Sequence, residues 1–225
     1  MSTADPVRSD HQIQIAVQDE IEWTPDVDAA GIGVAIENGT VSLFGEVDSY
    51  AERLAAKRAA LRVRGVTTLV DNLVVRPKFS WSVTDTDIAR DVAHALDVAS
   101  NVPETVKAEI KDHDVTLSGQ VSWDFQRQAA VRAVQYLRGV RSVHNTMTLT
   151  ERPVPNASEA AERIRNALTR NAMLDASAIE VKVAGNKVTL TGTVQSWAEK
   201  NQAGQAAWAS PQVTGVDNRI AVLGY

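Results

Sequence analysis

One seven-residue pattern, Val-x-Leu-x-Gly-x-Val, occurs three times in this chain of 225 residues. Its glycines are Gly45, Gly119 and Gly192, and small or aliphatic residues follow each of them in the same register. Similarity at so many ordered positions indicates a repeated unit rather than a repeated short motif. The chain therefore divides into three small domains, which we expect at residues 8–76, 83–150 and 156–224.

Proline-containing segments separate the copies. The first linker runs from Arg76 to Thr84, and the second runs from Glu151 to Asn156. Two prolines in the second linker indicate a semi-rigid spacer. Trp81 has no counterpart in the other copies, so we expect it to pack between units or against a partner.

Each unit opens with an amphipathic helix followed by a hairpin. In the first copy, Ile13, Val17 and Ile21 recur at every fourth residue, which places them on one helical face. Two runs of alternating apolar residues then flank Asn38-Gly39, and Asn-Gly is a strong signal for a tight hairpin. Alternation with period two predicts strands that bury one face.

A second helix and a third strand complete the unit. Ala56, Ala59, Ala60 and Val63 lie on one helical face, where small side chains allow close packing on a sheet. After a turn, residues such as 69–75 or 220–222 predict the last strand. The fold class is therefore α+β: three tandem αββαβ domains, each a small mixed three-stranded sheet covered by two helices.

These features together resemble the BON domain, a family named for bacterial osmotically inducible and nodulation proteins. The resemblance rests on the Val-x-Leu-x-Gly-x-Val strand, the alanine-rich second helix, the Gly-Val turn and the asparagine that closes each block. The third copy departs from it with Gln212 at the turn, and the second has His144 where the others have aspartate. The structural residues that the resemblance assigns are Gly45, Gly65, Gly119, Gly139, Gly192, Asn72, Asn145 and Asn218.

The resemblance also implies a range of functions. BON domains often occur in tandem without known catalysis and are associated with envelope stress. Some are thought to bind anionic phospholipid, and one with an added module senses potassium. The N-terminus lacks the basic start and apolar run of a secretory signal, so we expect a cytoplasmic or membrane-peripheral protein, periplasmic only if a signal was removed.

No constellation of residues indicates an enzyme. Cysteine is absent, so thiol chemistry and cysteine-ligated metal sites are excluded. No His-Glu-x-x-His or related metal-binding spacing occurs, and no histidine recurs at equivalent repeat positions. We therefore expect a non-enzymatic protein without cofactors or a metal site; its histidines are His11, His94, His113 and His144.

Two acidic pairs and one glycine pair have simpler interpretations than ligand binding. Asp112 and Asp114 flank His113 and are expected in a polar hairpin turn, while Asp85 and Asp87 follow Thr84 and are expected to cap a helix. Neither pair has the longer pattern of an EF-hand loop. Gly31-Ile-Gly33 precedes a strand instead of following one, which favours a loop over a dinucleotide-binding turn.

Charge and aromatic residues suggest a binding surface. The net charge of −5 argues against nucleic acid as a partner. The second helices nevertheless carry local basic residues, which suit anionic headgroups unless acids such as Glu20 balance them. Aromatic residues also recur in the loop before each second helix and suit a membrane interface. The candidate lipid-binding residues are Arg53, Lys57, Arg58, Arg62, Arg64, Arg127, Arg132, Arg138, Tyr50, Trp123 and Trp197.

The sequence thus favours a stress-associated protein that docks on anionic phospholipid or another envelope component. A second hypothesis is a sensor of K⁺ or Ca²⁺, in which turn carbonyls and acids would coordinate the ion. A third is a protein–protein scaffold or chaperone-like module, with a protein partner or a second copy of this chain as the bound species.

Overall fold

The computed structural model describes residues 9–76, 83–151, 157–170 and 176–223. Trp81 lies outside the described residues. Backbone proximity groups the chain into two compact units: residues 1–46, 54–74 and 153–225 form one, and residues 47–53 and 75–152 form the other.

All three repeats have the predicted order of helix, two strands, helix and strand, which confirms the α+β class. In the first repeat the elements are α1 (Asp10–Glu22), β1 (Ile32–Glu37), β2 (Thr40–Val47), α2 (Tyr50–Arg62) and β3 (Thr68–Val75). In the second they are α3 (Asp85–Val98), β4 (Lys107–Lys111), β5 (Asp114–Ser118), β6 (Gln120–Val121), α4 (Asp124–Val134), β7 (Ser142–Asn145) and β8 (Thr148–Leu149). In the third they are α5 (Ala157–Thr169), β9 (Ile179–Ala184), β10 (Lys187–Val194), α6 (Trp197–Trp208), β11 (Gly215–Asn218) and β12 (Ala221–Val222).

The strand that carries the repeated motif lies in the middle of each sheet. Strand orders are β1-β2-β3 in the first repeat and β4-β5-β7 in the second, and β10 lies between β9 and β11 in the third. The first two strands of each repeat pair antiparallel. In the second and third repeats the last strand pairs parallel to the central strand. The first strand of each sheet is therefore an edge strand.

The glycine of each repeated motif is required by backbone conformation and by space. Gly45, Gly119 and Gly192 have φ values of 118°, 120° and 125°, in the region that disfavours other residues. A Cβ atom at these positions would lie 2.0–2.2 Å from a carbonyl oxygen of the neighbouring segment. The chain therefore needs glycine where the segment that leads into the edge strand passes close to the central strand.

Both helices bury the faces that periodicity predicts. Ile13, Val17 and Ile21 of α1 are each exposed by 3% or less. Ala56, Ala59 and Ala60 of α2 are fully buried. Alanines occupy the same face of α6, so the close packing of the second helix on the sheet is a repeated feature.

An aspartate at the start of the first helix holds the hairpin turn in two repeats. The Asp10 carboxylate accepts hydrogen bonds from the backbone N–H groups of Asn38 and Gly39, at 2.7 and 3.0 Å. Asp85 accepts in the same way from Asp112 and His113, at 2.9 and 3.0 Å. Both turns have two residues with positive φ, as tight hairpins require. The polar hairpin turn predicted at residues 112–114 is thereby confirmed.

The asparagine assigned to the first repeat is shifted by one position. Counting without gaps from the buried valine after each turn aligns Asp71, not Asn72, with Asn145 and Asn218. The Oδ1 atoms of Asp71 and Asn218 each accept a hydrogen bond from the backbone N–H two residues later, and Asn145 does the same. β3 continues through this bond, whereas in the third repeat the last strand is observed in two pieces, β11 and β12, on either side of it, and the strand predicted at 220–222 overlaps β12.

Candidate functional site

Most of the candidate cations on α2 already contact other groups. The Lys57 Nζ atom lies 2.8 Å from Asp71 Oδ2, and the Arg62 Nε atom lies 2.8 Å from Glu20 Oε1. Arg58 donates to the backbone carbonyl of its own helix at Leu54. Arg53 and Arg64 also have interaction partners of their own. Two of these cations are therefore balanced by acids within the first repeat, one of them by Glu20 of the first helix.

The cations of the second repeat differ from one another. Arg127 is half-buried and pairs with Asp124 one turn earlier on α4. Arg138 is exposed and also has an interaction partner of its own. Arg132 is exposed, and no acidic group lies within ion-pair distance of it in the described ranges. Arg132 is thus the candidate cation most available to an external anion.

The predicted aromatic residues lie at the start of the second helices and are half-buried. Tyr50 and Trp197 are the first residues of α2 and α6, whereas Trp123 takes the N-cap position of α4, one place earlier in the repeat. The Trp197 ring lies 4.9 Å below the Lys200 ammonium, and its buried Nε1 has no hydrogen-bond partner among the described residues. These rings therefore pack over the first turn of the helix and leave only part of their surface exposed.

A repeated cap, which the sequence analysis missed, fixes these helix starts. Glu52 accepts a hydrogen bond from the backbone N–H of Asp48, and Glu199 accepts one from Gln195. In the second repeat, Gln126 accepts from Ser122 and Trp123. The signal is Ser-x-x-Glu at Ser49 and Ser196, the capping-box pattern.

An exposed stripe of two aromatic rings and one cation follows α4. Phe125 and Tyr136 are 53% and 54% exposed, and Gln128 and Arg132 between them are also exposed. Spacings of three, four and four residues place these four side chains along one helical face and the turn that follows it. The Phe125 ring stacks at 6.4 Å on Trp123, which links the stripe to the predicted loop. We call Phe125, Gln128, Arg132 and Tyr136 the α4 stripe.

The acidic pairs have the structural roles expected of them. Thr84 caps α3, and its hydroxyl donates to the Asp87 carboxylate at 2.8 Å. This hydrogen bond, together with the Thr84 backbone N–H and the nearby Arg90, lowers the pKa of Asp87. In the described residues, no group of three or more histidine or acidic side chains is arranged to hold a metal ion.

Gly31-Ile-Gly33 also has a structural role. Gly31 ends a short 3₁₀ turn that leads into β1, so the pair precedes a strand as expected. A Cβ atom at Gly33 would overlap the Phe44 ring, and one at Gly31 would lie 2.5 Å from the Glu46 carbonyl oxygen. Close packing therefore explains both glycines.

In the described part of the chain, every helix is too short or too polar to span a bilayer.

Comparison with known proteins identifies the repeated unit. The family model for the BON domain matches residues 9–77, 84–151 and 156–224. The osmotically-inducible protein Y of Escherichia coli (strain K12) is 32% identical over 127 residues. The match covers 54% of this chain and 63% of that protein, so the chain spans less than two thirds of its relative's length.

Two solved structures show a weak likeness. The C-terminal domain of CdsD, a structural protein of the type III secretion system of Chlamydia trachomatis, is 13% identical with a TM-score of 0.27; the match covers 93% of this chain and 96% of that one. The periplasmic domain of the inner-membrane protein PrgH from S. typhimurium is 12% identical with a TM-score of 0.21, over 86% and 95% of the two chains. Scores this low give the likeness no weight for fold or function.

Proposed function

This chain belongs to the BON-domain family, and on that premise we propose that it is a non-enzymatic protein of the osmotic stress response. It docks reversibly on anionic phospholipid surfaces of the cell envelope. The name of the osmotically inducible relative supports the stress role. The α4 stripe supports the docking, because it combines exposed aromatic rings with a cation that has no ion-pair partner within the described ranges.

The chemistry of the stripe suits a headgroup layer. Phe125 and Tyr136 expose about half of their surface, and aromatic side chains are favoured at the membrane–water interface. Arg132 lies between them along the stripe, where it can meet a lipid phosphate. A cation near an anionic surface contributes about 1 kcal/mol. Rings and cation therefore act on the same surface.

The α2 face supports docking less well than α4. Lys57 and Arg62 would have to exchange Asp71 and Glu20 for lipid phosphate, which removes much of the gain. Neither Phe nor Trp occurs in α2, and Tyr50 at its start is half-buried. We therefore place the docking surface on the second repeat.

Flotation with liposomes tests the proposal. Full-length protein should float with phosphatidylglycerol-containing liposomes at low salt and remain behind with phosphatidylcholine liposomes. The Arg132→Glu variant should lose most of this recovery. The matched change on α2, Arg58→Glu, should leave it nearly unchanged. Equal recovery for both variants would refute the α4 surface, and no recovery of the wild type would refute lipid docking itself.

A further inference from the structure

The second repeat contains an open cavity of about 520 Å³ between α3 and β4. Its walls combine apolar side chains, from Ala89, Ala93 and Leu96 of α3, from the loop at Val102 and from Ala108 of β4, with polar residues such as Asp97, Ser100 and Glu104. This volume falls in the range of ligand-binding pockets in proteins. The cavity lies wholly within residues 89–110, so the second repeat forms it alone.

Side chains occupy the corresponding place in the other two repeats. In the first, the Gln14 side chain donates from Nε2 to the carbonyl oxygen of Val34 on β1, at 2.7 Å. In the third, Arg165 donates to the carbonyl oxygen of Val181 on β9, at 3.4 Å. The repeat register aligns Val34 and Val181 with Ala108. These edge-strand carbonyls are thus covered by a polar side chain of the first helix.

The second repeat has alanine at both of the covering positions. Ala89 corresponds to Gln14, and Ala93 corresponds to Arg165. An alanine side chain cannot reach across to the strand, and within the described ranges no side chain donates to the Ala108 carbonyl. These two residues therefore account for both the cavity and the uncovered edge.

The strand register shows which backbone groups point into this edge. Lys111 pairs with Asp114 across a two-residue turn, and Ala108 pairs with Leu117. Hydrogen-bonded and non-hydrogen-bonded pairs alternate along an antiparallel ladder, so the N–H and C=O groups of Ala108 and Ile110 point away from β5. The N–H and C=O groups of these two residues, which are two positions apart, can therefore form backbone hydrogen bonds with one further strand.

We propose that β4 binds an extended peptide segment of a partner protein, which adds a strand to the sheet and places alternate side chains in the cavity. Strand addition of this kind obtains its affinity from backbone hydrogen bonds and its specificity from the pockets for alternate side chains. Ala89 and Ala93 leave room for small branched side chains such as valine.

The opposite face of β4 specifies the remaining positions of the peptide. Lys107, Glu109 and Lys111 are exposed on that face. Opposite charges on directly paired residues stabilise a sheet, and like charges destabilise it. The fitting segment therefore carries acidic, basic and acidic residues in alternation with apolar ones. The same pattern makes self-pairing of β4 about Glu109 unfavourable, because it would put like charges opposite each other.

A pair of short peptides tests this complementarity on the full chain. The fitting peptide is Thr-Glu-Val-Lys-Val-Glu-Thr with blocked ends, and the control is the charge-reversed Thr-Lys-Val-Glu-Val-Lys-Thr. Both sequences read the same in either direction, so strand polarity does not affect the comparison. Titration into ¹⁵N-labelled protein should shift the amide signals of Ala108 and Ile110 and slow their exchange. The charge-reversed peptide should bind at least fivefold more weakly, and equal binding would refute the proposed side-chain pairing.

A substitution copied from the first repeat tests the site itself. Ala89→Gln should cover the Ala108 carbonyl as Gln14 covers that of Val34, and it should weaken peptide binding at least tenfold. The control Ala198→Gln makes the same change at an exposed position of α6 and should leave binding unchanged. Unchanged binding in Ala89→Gln would overturn the proposal. So would a dimer of the unliganded wild type that Ala89→Gln abolishes, because the groove would then belong to a second copy of the chain.

Discussion

At the scale of single residues, the motif glycines are fixed by backbone conformation and by space together. Gly192 has a φ of 125°, and a Cβ atom there would lie 2.0 Å from the Ala178 carbonyl oxygen. Gly185 in the neighbouring hairpin turn has a φ of 58°, and a Cβ atom there would meet nothing within 4 Å. A comparison of Gly192 with Gly185 therefore separates the effect of close packing from the effect of backbone conformation.

We expect Gly192→Ala to destabilise the third repeat strongly. Backbone strain costs about 1–3 kcal/mol at such a position, and the overlap with the carbonyl adds to it. Gly185→Ala should cost about 1 kcal/mol, because only the left-handed conformation is penalised. Urea unfolding followed by tryptophan fluorescence measures both variants. Similar losses for the two would show that the close approach to Ala178 is unimportant.

At the scale of elements, the aspartate at the start of the first helix couples that helix to the hairpin. Asp85 accepts from both backbone N–H groups of the turn at Asp112 and His113. The third repeat has Ala157 at this position in the sequence, and there the Asn186 side chain donates to the Gln212 carbonyl at 2.7 Å. The hairpin turn is thus held by different groups in different repeats.

Asp85→Ala should therefore loosen the turn without unfolding the repeat. Amide exchange at Asp112 and His113 should become about tenfold faster, since each loses a hydrogen bond to a charged acceptor, a bond of about 1.5 kcal/mol or more. Asp91→Ala, on the exposed side of the same helix, should leave exchange in the turn unchanged. Native-state hydrogen exchange measures both, and unaltered exchange in Asp85→Ala would contradict the coupling.

Elements with strong periodicity could be predicted from the sequence, and local side-chain bonds could not. Four-residue spacing placed Ile13, Val17 and Ile21 correctly on a buried face. The strand predicted at 220–222 was too short, because it left out β11 (Gly215–Asn218), which ends at the residue whose side chain accepts from the N–H of Ile220. Asn72 shares its residue type with Asn145 and Asn218, whereas Asp71 shares their register, so the position predicted in the first repeat differs by one residue.

The candidate site was harder to predict because it depends on partners across the fold. The sequence gives the positions of Lys57 and Arg62 but not their ion pairs with Asp71 and Glu20, which join residues 14 and 42 positions apart. Phe125 and Tyr136 have no aromatic counterparts in the other repeats, so the repeat pattern did not indicate them as site residues. Their three- and four-residue spacing around Gln128 and Arg132 was the available signal.

At the scale of the whole molecule, charge constrains how docking can occur. The chain carries a net charge of −5, so an anionic membrane repels it at long range. In the proposed docking, attraction must therefore come from a local surface within a few ångströms of the headgroups. The α4 stripe combines an electrostatic part at Arg132 with an apolar part at Phe125 and Tyr136, and salt screens only the first.

Salt titration should separate these two parts of the docking energy. Arg132→Glu replaces an attraction of about 1 kcal/mol by a similar repulsion, so affinity for phosphatidylglycerol liposomes should fall about 30-fold at low salt. The deficit should shrink towards 1 M salt, where the screening length is about 3 Å.

Replacing Phe125 and Tyr136 together with serine should instead weaken binding by a similar factor at every salt concentration. Sedimentation with liposomes from 0.05 to 1 M NaCl, a range of about 14 to 3 Å in screening length, measures both curves. If the binding curves of the wild type and both variants ran parallel across this range, Arg132 would have no electrostatic role. A solvent-exposed interaction between a cation and an anionic headgroup must weaken as salt rises.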